Sequence, residues 1–425
     1  LGSVLRIQVA PAGVAFWANG VLLGSYSYTT AYPLNIAASI YGDLEQIVDS
    51  RLSGALVNTY SADCSGAKRW SGDLNGDGRQ DSVCSTAAGN IAVTLATATG
   101  FTNPVMWASS GLPLSGVGDF NNDGKDDVVF FDSYWGQTYV GLSNAQNFGA
   151  VTPWGFLGGY GDGCRMNGAT LGKVADYNGD GRMDVACYIP GVDLQYVGIS
   201  TGSSFVGVLF GNQGCLAPYG NIPSQGQADF NGDGRDDWFC MNTANADISV
   251  FMSAGSFFWT NGWGLSGFCS VNEYTFGDWN GDGATDAACA NNLRAGLQTG
   301  RNFAVLDAAS PAPWCVSGQR LAADLDGDGA AEWICNNPGT PSNDIEVRRW
   351  SGLGFGAAGT WRGSFCGGTV AAADFNGDGK KDLLCESTGV VIYSGTKDLK
   401  AGLMSSTDNG IGGTATITWE TTTKV

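Results

Sequence analysis

One acidic nine-residue pattern, D-x-[ND]-x-D-G-x-x-[DE], occurs seven times in this chain. The copies run 73–81, 119–127, 176–184, 229–237, 278–286, 324–332 and 374–382, with starts 46 to 57 residues apart. A period near fifty kept through seven copies implies a repeat architecture, in which each unit buries its apolar faces against its neighbours.

The pattern has the chemistry of a calcium turn. A hard cation such as Ca²⁺ takes six to eight oxygens at flexible geometry. Side chains at positions 1, 3, 5 and 9, with the backbone carbonyl at 7, supply that shell if the chain curls tightly. Glycine at position 6 permits the curl through positive φ, and all seven copies have it. The candidate ligands are Asp73, Asn75, Asp77, Arg79 and Asp81 in the first loop, and Asp119, Asn121, Asp123, Lys125 and Asp127 in the second. The third and fourth offer Asp176, Asn178, Asp180, Arg182 and Asp184, then Asp229, Asn231, Asp233, Arg235 and Asp237. The fifth offers Asp278, Asn280, Asp282, Ala284 and Asp286, and the sixth Asp324, Asp326, Asp328, Ala330 and Glu332. The seventh offers Asp374, Asn376, Asp378, Lys380 and Asp382. Position 7 varies freely, as expected if only its carbonyl is used.

An EF-hand would place a bidentate Glu at position 12. Here that position is Cys in six copies and Phe130 in the other, and the flanks are short β-type runs such as Trp238-Phe-Cys and Leu383-Leu-Cys. The loops therefore belong on β-hairpins. A metal-free Asn/Asp/Gly turn accounts for one copy, but not for four liganding positions kept through seven. These positions hold 22 of the 40 acidic residues, and seven divalent ions would take the formal charge from −19 to −5. The acidity thus reads as demand for about seven Ca²⁺. Nucleic acid is disfavoured as a partner, because no basic stripe exists to meet phosphates.

Twelve Cys occur with no C-x-x-C motif and no His, which speaks against zinc-type sites. Six lie eleven residues after a loop start and six lie 8 to 14 residues before one; repeat 2 has neither kind. Joint loss of both is what bonded pairs predict. The expected bridges are Cys64–Cys84, Cys164–Cys187, Cys215–Cys240, Cys269–Cys289, Cys315–Cys335 and Cys366–Cys385. Each closes roughly 20 residues, worth about 2–4 kcal/mol. Six such bridges imply an oxidising, extracellular or cell-surface location.

Each repeat carries about four strand-like runs, and four strands per fifty residues is the content of a propeller blade. Repeat 7 shows three runs, ending at Val390-Val-Ile; the missing strand is expected within Ala55–Tyr60, closing the ring. The fold expected is all-β, a seven-bladed β-propeller with four-stranded blades and Ca-binding hairpin loops, preceded by part of a β-sandwich.

The loops resemble the FG-GAP, or VCBS, repeat of integrin α-subunit heads and of many bacterial exported proteins. The likeness covers residues 60 to about 396 and includes an apolar second residue in every loop: Leu74, Phe120, Tyr177, Phe230, Trp279, Leu325 and Phe375. It implies a calcium site on each blade of a seven-bladed propeller. Residues 1–54 have alternating strands and an Asn19-Gly20 hairpin signal, and resemble the closing half of a laminin-G or concanavalin-like sandwich. Half a sandwich buries too little core alone, so the chain is expected to begin inside a larger polypeptide. Residues 397–425 resemble the strand pair that follows the propeller in Rhs proteins and in the B component of insecticidal toxin complexes. The domains expected are 1–54, 55–396 and 397–425.

Without His, the usual general base and the Ser/His and Cys/His nucleophilic arrangements are missing. Among the remaining acids, Asp132, Asp162, Asp193 and Glu273 read as surface or turn groups. No phosphate-cradling glycine motif is present, and no membrane-spanning run. The expectation is a non-catalytic extracellular calcium-binding module, a binding or scaffold part of a larger exported protein, with a protein or glycan surface as partner. The alternatives are a self-assembling subunit of a sheath, surface layer or filament, and a carbohydrate-binding lectin.

Overall fold

The computed structural model describes residues 5–10, 13–18, 21–27, 56–57, 68–97, 100–157, 164, 170–189, 194–212, 224–241, 247–259, 263–270, 273–299, 302–306, 313–315, 317–337, 343–362, 364–387, 390–392, 406–408 and 414–416. Among these, every helix or strand is a β-strand.

Six four-stranded antiparallel sheets come from successive stretches of chain. The first is built of Lys68–Gly72, Asp81–Ser85, Asn90–Thr94 and Val105–Ser109. The others span 114–156, 170–212, 224–265, 274–306 and 319–362. A further sheet is composite: Val370–Ala373, Asp382–Cys385 and Val390–Ile392 pair in order, and Leu56–Val57 adds the fourth strand through Val391↔Val57 and Ile392↔Leu56. Seven blades were expected and six are contiguous; the fourth strand of the last sheet falls within Ala55–Tyr60, where it was expected. The last sheet borrows this two-residue strand from ahead of the first repeat, because the last repeat runs out of strand-forming sequence after its third run.

The strand leaving each loop explains the packing. Asp81–Ser85 and Glu332–Asn336 are buried at every residue, with no polar alternation. A strand covered on both faces reads that way, and here neighbouring blades do the covering. One core joins Phe120, Val129, Val140 and Trp154 of the second blade to Val185, Tyr196 and Phe205 of the third. The next joins Tyr177, Val197 and Phe210 to Trp238 and Phe258. The core therefore lies in wedges between blades. The seven apolar second residues of the loops are all 0% exposed, each contributing roughly 1.5–3 kcal/mol by the usual area bookkeeping.

Backbone hydrogen bonds of one kind link the repeats cyclically. The position-8 N–H of each loop donates to the position-1 carbonyl of the preceding loop at 2.6–2.8 Å. Examples are Asp126 to Asp73, Met183 to Asp119 and Lys381 to Asp324; Gln80 of the first loop donates to Asp374 of the last and closes the circle. Such a closed radial array of four-stranded sheets is a β-propeller.

Disulfides join Cys164 to Cys187, Cys269 to Cys289, Cys315 to Cys335 and Cys366 to Cys385. Cys84 and Cys240 are also disulfide-bonded; the cysteines expected as their partners, Cys64 and Cys215, lie outside the described residues. Apart from the propeller, Leu5–Ala10, Gly13–Ala18 and Val21–Ser27 form a three-stranded sheet with Ala18 opposite Val21. Residues 28–54 lie outside the described residues, and with them any sandwich. Ser406–Asp408 pairs with Thr414–Thr416.

Candidate functional site

Every loop curls around its first aspartate. In the first, Asp73 Oδ1 accepts the N–H groups of Gly76 and Asp77 and Oδ2 that of Gly78, at 2.7–3.0 Å. Asn75 Oδ1 accepts from the Asp77 N–H, and Asp77 Oδ1 from the Arg79 N–H. The same bonds recur in the fourth loop around Asp229, Asn231 and Asp233. They also recur in the seventh around Asp374, Asn376 and Asp378. The position-6 glycines have φ between +79° and +92°, a region costly for side-chain-bearing residues. Position 4 has positive φ as well, and a second constraint: a Cβ at Gly179 would stand 3.0 Å from Arg235 Cγ of the next blade.

Position 9 is the buried member. Asp81 Oδ2 accepts the Leu74 N–H at 2.9 Å and Oδ1 the Ala96 N–H at 2.7 Å, stitching the loop to the third strand region. Asp127, Asp184, Asp237 and Asp286 make the same pair of bonds, to Ser143, Ser200, Ser253 and Gln298 on the far side. Burial pushes these carboxyls up, to about 8 in Asp81 and Asp127 and to about 7 in Asp184, Asp237 and Asp286, and nearby acids of the same loop add to the rise. Glu332 is raised to about 8 by burial and by Asp326. Their backbone N–H partners pull the other way without compensating.

Position 7 differs from the sequence expectation. Its side chain does not vary idly: Arg79, Arg182 and Arg235 each pair with the position-5 carboxylate of the same loop, and Lys125 Nζ lies 2.9 Å from Asp123 Oδ2. The three arginines also donate through Nε to the carbonyls of Ala96, Ser200 and Ser253. The signal was present, since five of the seven residues at this position are Lys or Arg. In the sixth loop, where position 7 is Ala330, Arg349 arrives from elsewhere and meets Asp326 at 3.0 Å and Glu332 at 3.3 Å. No motif announces Arg349. Asp126 and Asp236 at position 8 were also missed: Asp126 Oδ2 accepts the Asp73 N–H at 2.7 Å and Asp236 Oδ2 that of Asp176 at 3.2 Å.

The donor set fits a divalent cation. Asp324, Asp326 and Glu332 each offer an oxygen within 4.8 Å of one another. Burial and mutual repulsion push such carboxyls towards the protonated form, and a divalent ion would favour their ionised form. Of the other acids singled out, Glu273 pairs with Arg320 at 3.2 Å, Asp132 Oδ1 caps a turn by accepting the Tyr134 and Trp135 N–H groups, and Asp162 and Asp193 lie outside the described residues. No helix among the described residues is long and apolar enough to cross a membrane.

A family model described as FG-GAP-like repeat matches residues 119–187 and 324–385, the second loop through the third and the sixth through the seventh. The chain thus carries FG-GAP-like repeats on a propeller. No curated protein matches it. Among solved structures, an Agrocybe aegerita lectin described as recognising non-reducing terminal N-acetylglucosamine aligns with TM-score 0.56 at 19% identity, over 72% of this chain and 81% of that one. A Photorhabdus luminescens Tc holotoxin pore aligns with TM-score 0.41 at 16% identity, over 80% of this chain and 16% of the toxin chain. The exotype rhamnogalacturonan lyase YesX aligns with TM-score 0.42 at 12% identity, over 90% of this chain and 79% of the lyase. The lectin likeness carries the fold alone.

Proposed function

We propose that this chain is a non-catalytic, calcium-binding, disulfide-stapled propeller of seven blades, the composite sheet counted as one, acting as a rigid binding or scaffold module of a larger exported protein. One observation carries the reading. Seven loops of oxygen donors sit in a closed ring of backbone hydrogen bonds, so an ion in any loop braces the junction with the preceding blade. Positions 1, 3, 5 and 9 and the position-7 carbonyl hold the ion. When bound, Ca²⁺ supplies the positive charge that the buried position-9 carboxylates lack. The described disulfides are typical of oxidising compartments, where calcium concentrations fill even weak extracellular sites. The strand pair at 406–416, in a segment resembling the one that follows the propeller in Rhs and toxin-complex proteins, supports membership of a larger exported chain.

The test is calorimetric titration of chelator-stripped protein with CaCl₂, alongside melting curves. Binding of several ions per chain, with a large and reversible rise in melting temperature, is expected. An unchanged melting curve and no heat of binding would defeat the assignment.

A further inference from the structure

The second repeat is the one without a cysteine pair, and its junction with the first blade, packed inside through Trp107, Leu114, Phe130 and Phe148, has no staple. Elsewhere the connection from a blade's outer strand to the next blade runs from seven residues, 363–369, to thirteen, 157–169. In four of these connections the described disulfides pin the segment to the second strand of the next blade. Between Val105–Ser109 and Leu114–Gly118 only residues 110–113 intervene. The second strand there carries Phe130 where the others have Cys. The short, unstapled connection leaves a cleft of about 610 Å³ along the seam of the two blades.

Its lining is mixed. Ser109, Ser110, Asp132 and Tyr139 contribute polar groups, while Phe148 and Val151 form an apolar wall. No Lys or Arg lines it, which disfavours phosphate and carboxylate ligands. Asp132 is held by its own turn: Oδ1 takes two backbone N–H groups at 3.0 and 3.3 Å, and Oδ2 makes no bond of that kind. A cleft of this size takes a small ligand. The hydroxyl protons of Ser109 and Ser110 are spent on Asn90 Oδ1 and the Leu112 carbonyl, so a fixed carboxylate accepting hydroxyl donors, serine oxygens left as acceptors and an apolar wall match a neutral polyhydroxylated ring.

We propose that this cleft binds a single uncharged sugar ring, a pyranose at the end of a glycan, with Asp132 accepting from vicinal hydroxyls and the Phe148–Val151 wall meeting its C–H face. The proposal deepens the reading of the propeller as a binding module by naming a ligand class and a seam. Screening the full chain, calcium-loaded, on an array of neutral glycans and titrating the best monosaccharide tests it. Binding is expected, with Asp132→Asn weakening it about tenfold or more, as loss of a charged hydrogen-bonding partner does. Because Asn keeps the Oδ1 acceptor, the melting temperature should hold. Ser109→Trp, which fills the cleft, should abolish binding. Silence of the array, binding unmoved by both variants, or binding of tetramethylammonium in place of sugars would overturn the proposal. Calcium titration of the same sample separates this failure from failure of the metal assignment.

Discussion

The fourth and fifth loops share one backbone and differ in charge at position 7. Asp229 and Asp278 hold the same three N–H groups, and Asp237 and Asp286 stitch the same pair of strands. In the fourth, Arg235 neutralises Asp233 from within. In the fifth, Ala284 stands at that position, and among the described residues no ion pair reaches Asp282. A turn can thus keep its geometry with or without an internal guanidinium. The loops are equivalent as junctions of the ring and unequal in the positive charge their own residues supply.

The largest expected effect is local opening on chelation. In EDTA, hydrogen exchange should quicken most at 278–286 and less at 229–237, where Arg235 remains in place. Equal protection loss in both loops would erase the distinction.

Next comes pH. The position-9 carboxyls are raised in the fold from ordinary values near 4 to about 7–8. The folded chain therefore binds more protons than the unfolded chain across that window, and stability is lost as pH rises through it. Calcium-free protein should melt higher at pH 5 than at pH 8, and excess calcium should reverse the order by holding the carboxylates ionised. A calcium-free chain that melts higher at pH 8 would contradict the buried-acid account.

Replacing both Cys269 and Cys289 by Ser should cost about 2–4 kcal/mol by chemical denaturation. The loss should fall on the fifth blade and leave the fourth loop's exchange unchanged. The smallest effect is Arg235→Ala, which gives the fourth loop the fifth's residue at position 7. It should cost about 0–1 kcal/mol in EDTA, as partly exposed ion pairs do, while making the fourth loop's protection as calcium-dependent as the fifth's.

Much of this was legible in residues. Glycine at position 6 and the apolar residue after the first Asp marked the turn and its anchor, because a left-handed φ and a buried wedge each demand one kind of side chain. The strand Leu56–Val57 that completes the last sheet was legible as a missing run. What escaped notice lies beyond each nine-residue turn. Arg349 reaches the sixth loop from the end of the third strand of its own blade, and Asp126 and Asp236 act across the seam on the preceding loop. Such contacts leave no periodic trace, since sequence distance says nothing about which side chain crosses a seam.

The sequence by itself determined the seven turns, their spacing, the donor atoms at positions 1, 3, 5 and 9, and the strand content of each repeat. Those follow from local geometry, where a few residues within one turn set each other's conformation. Tertiary structure alone decided the ring of position-8 bonds, the reach of Arg349 to the sixth loop, and the cleft at the rim of the seam between the first two blades. These depend on how separate repeats meet, and burial there sets both the charge a carboxylate can keep and the space left for a ligand.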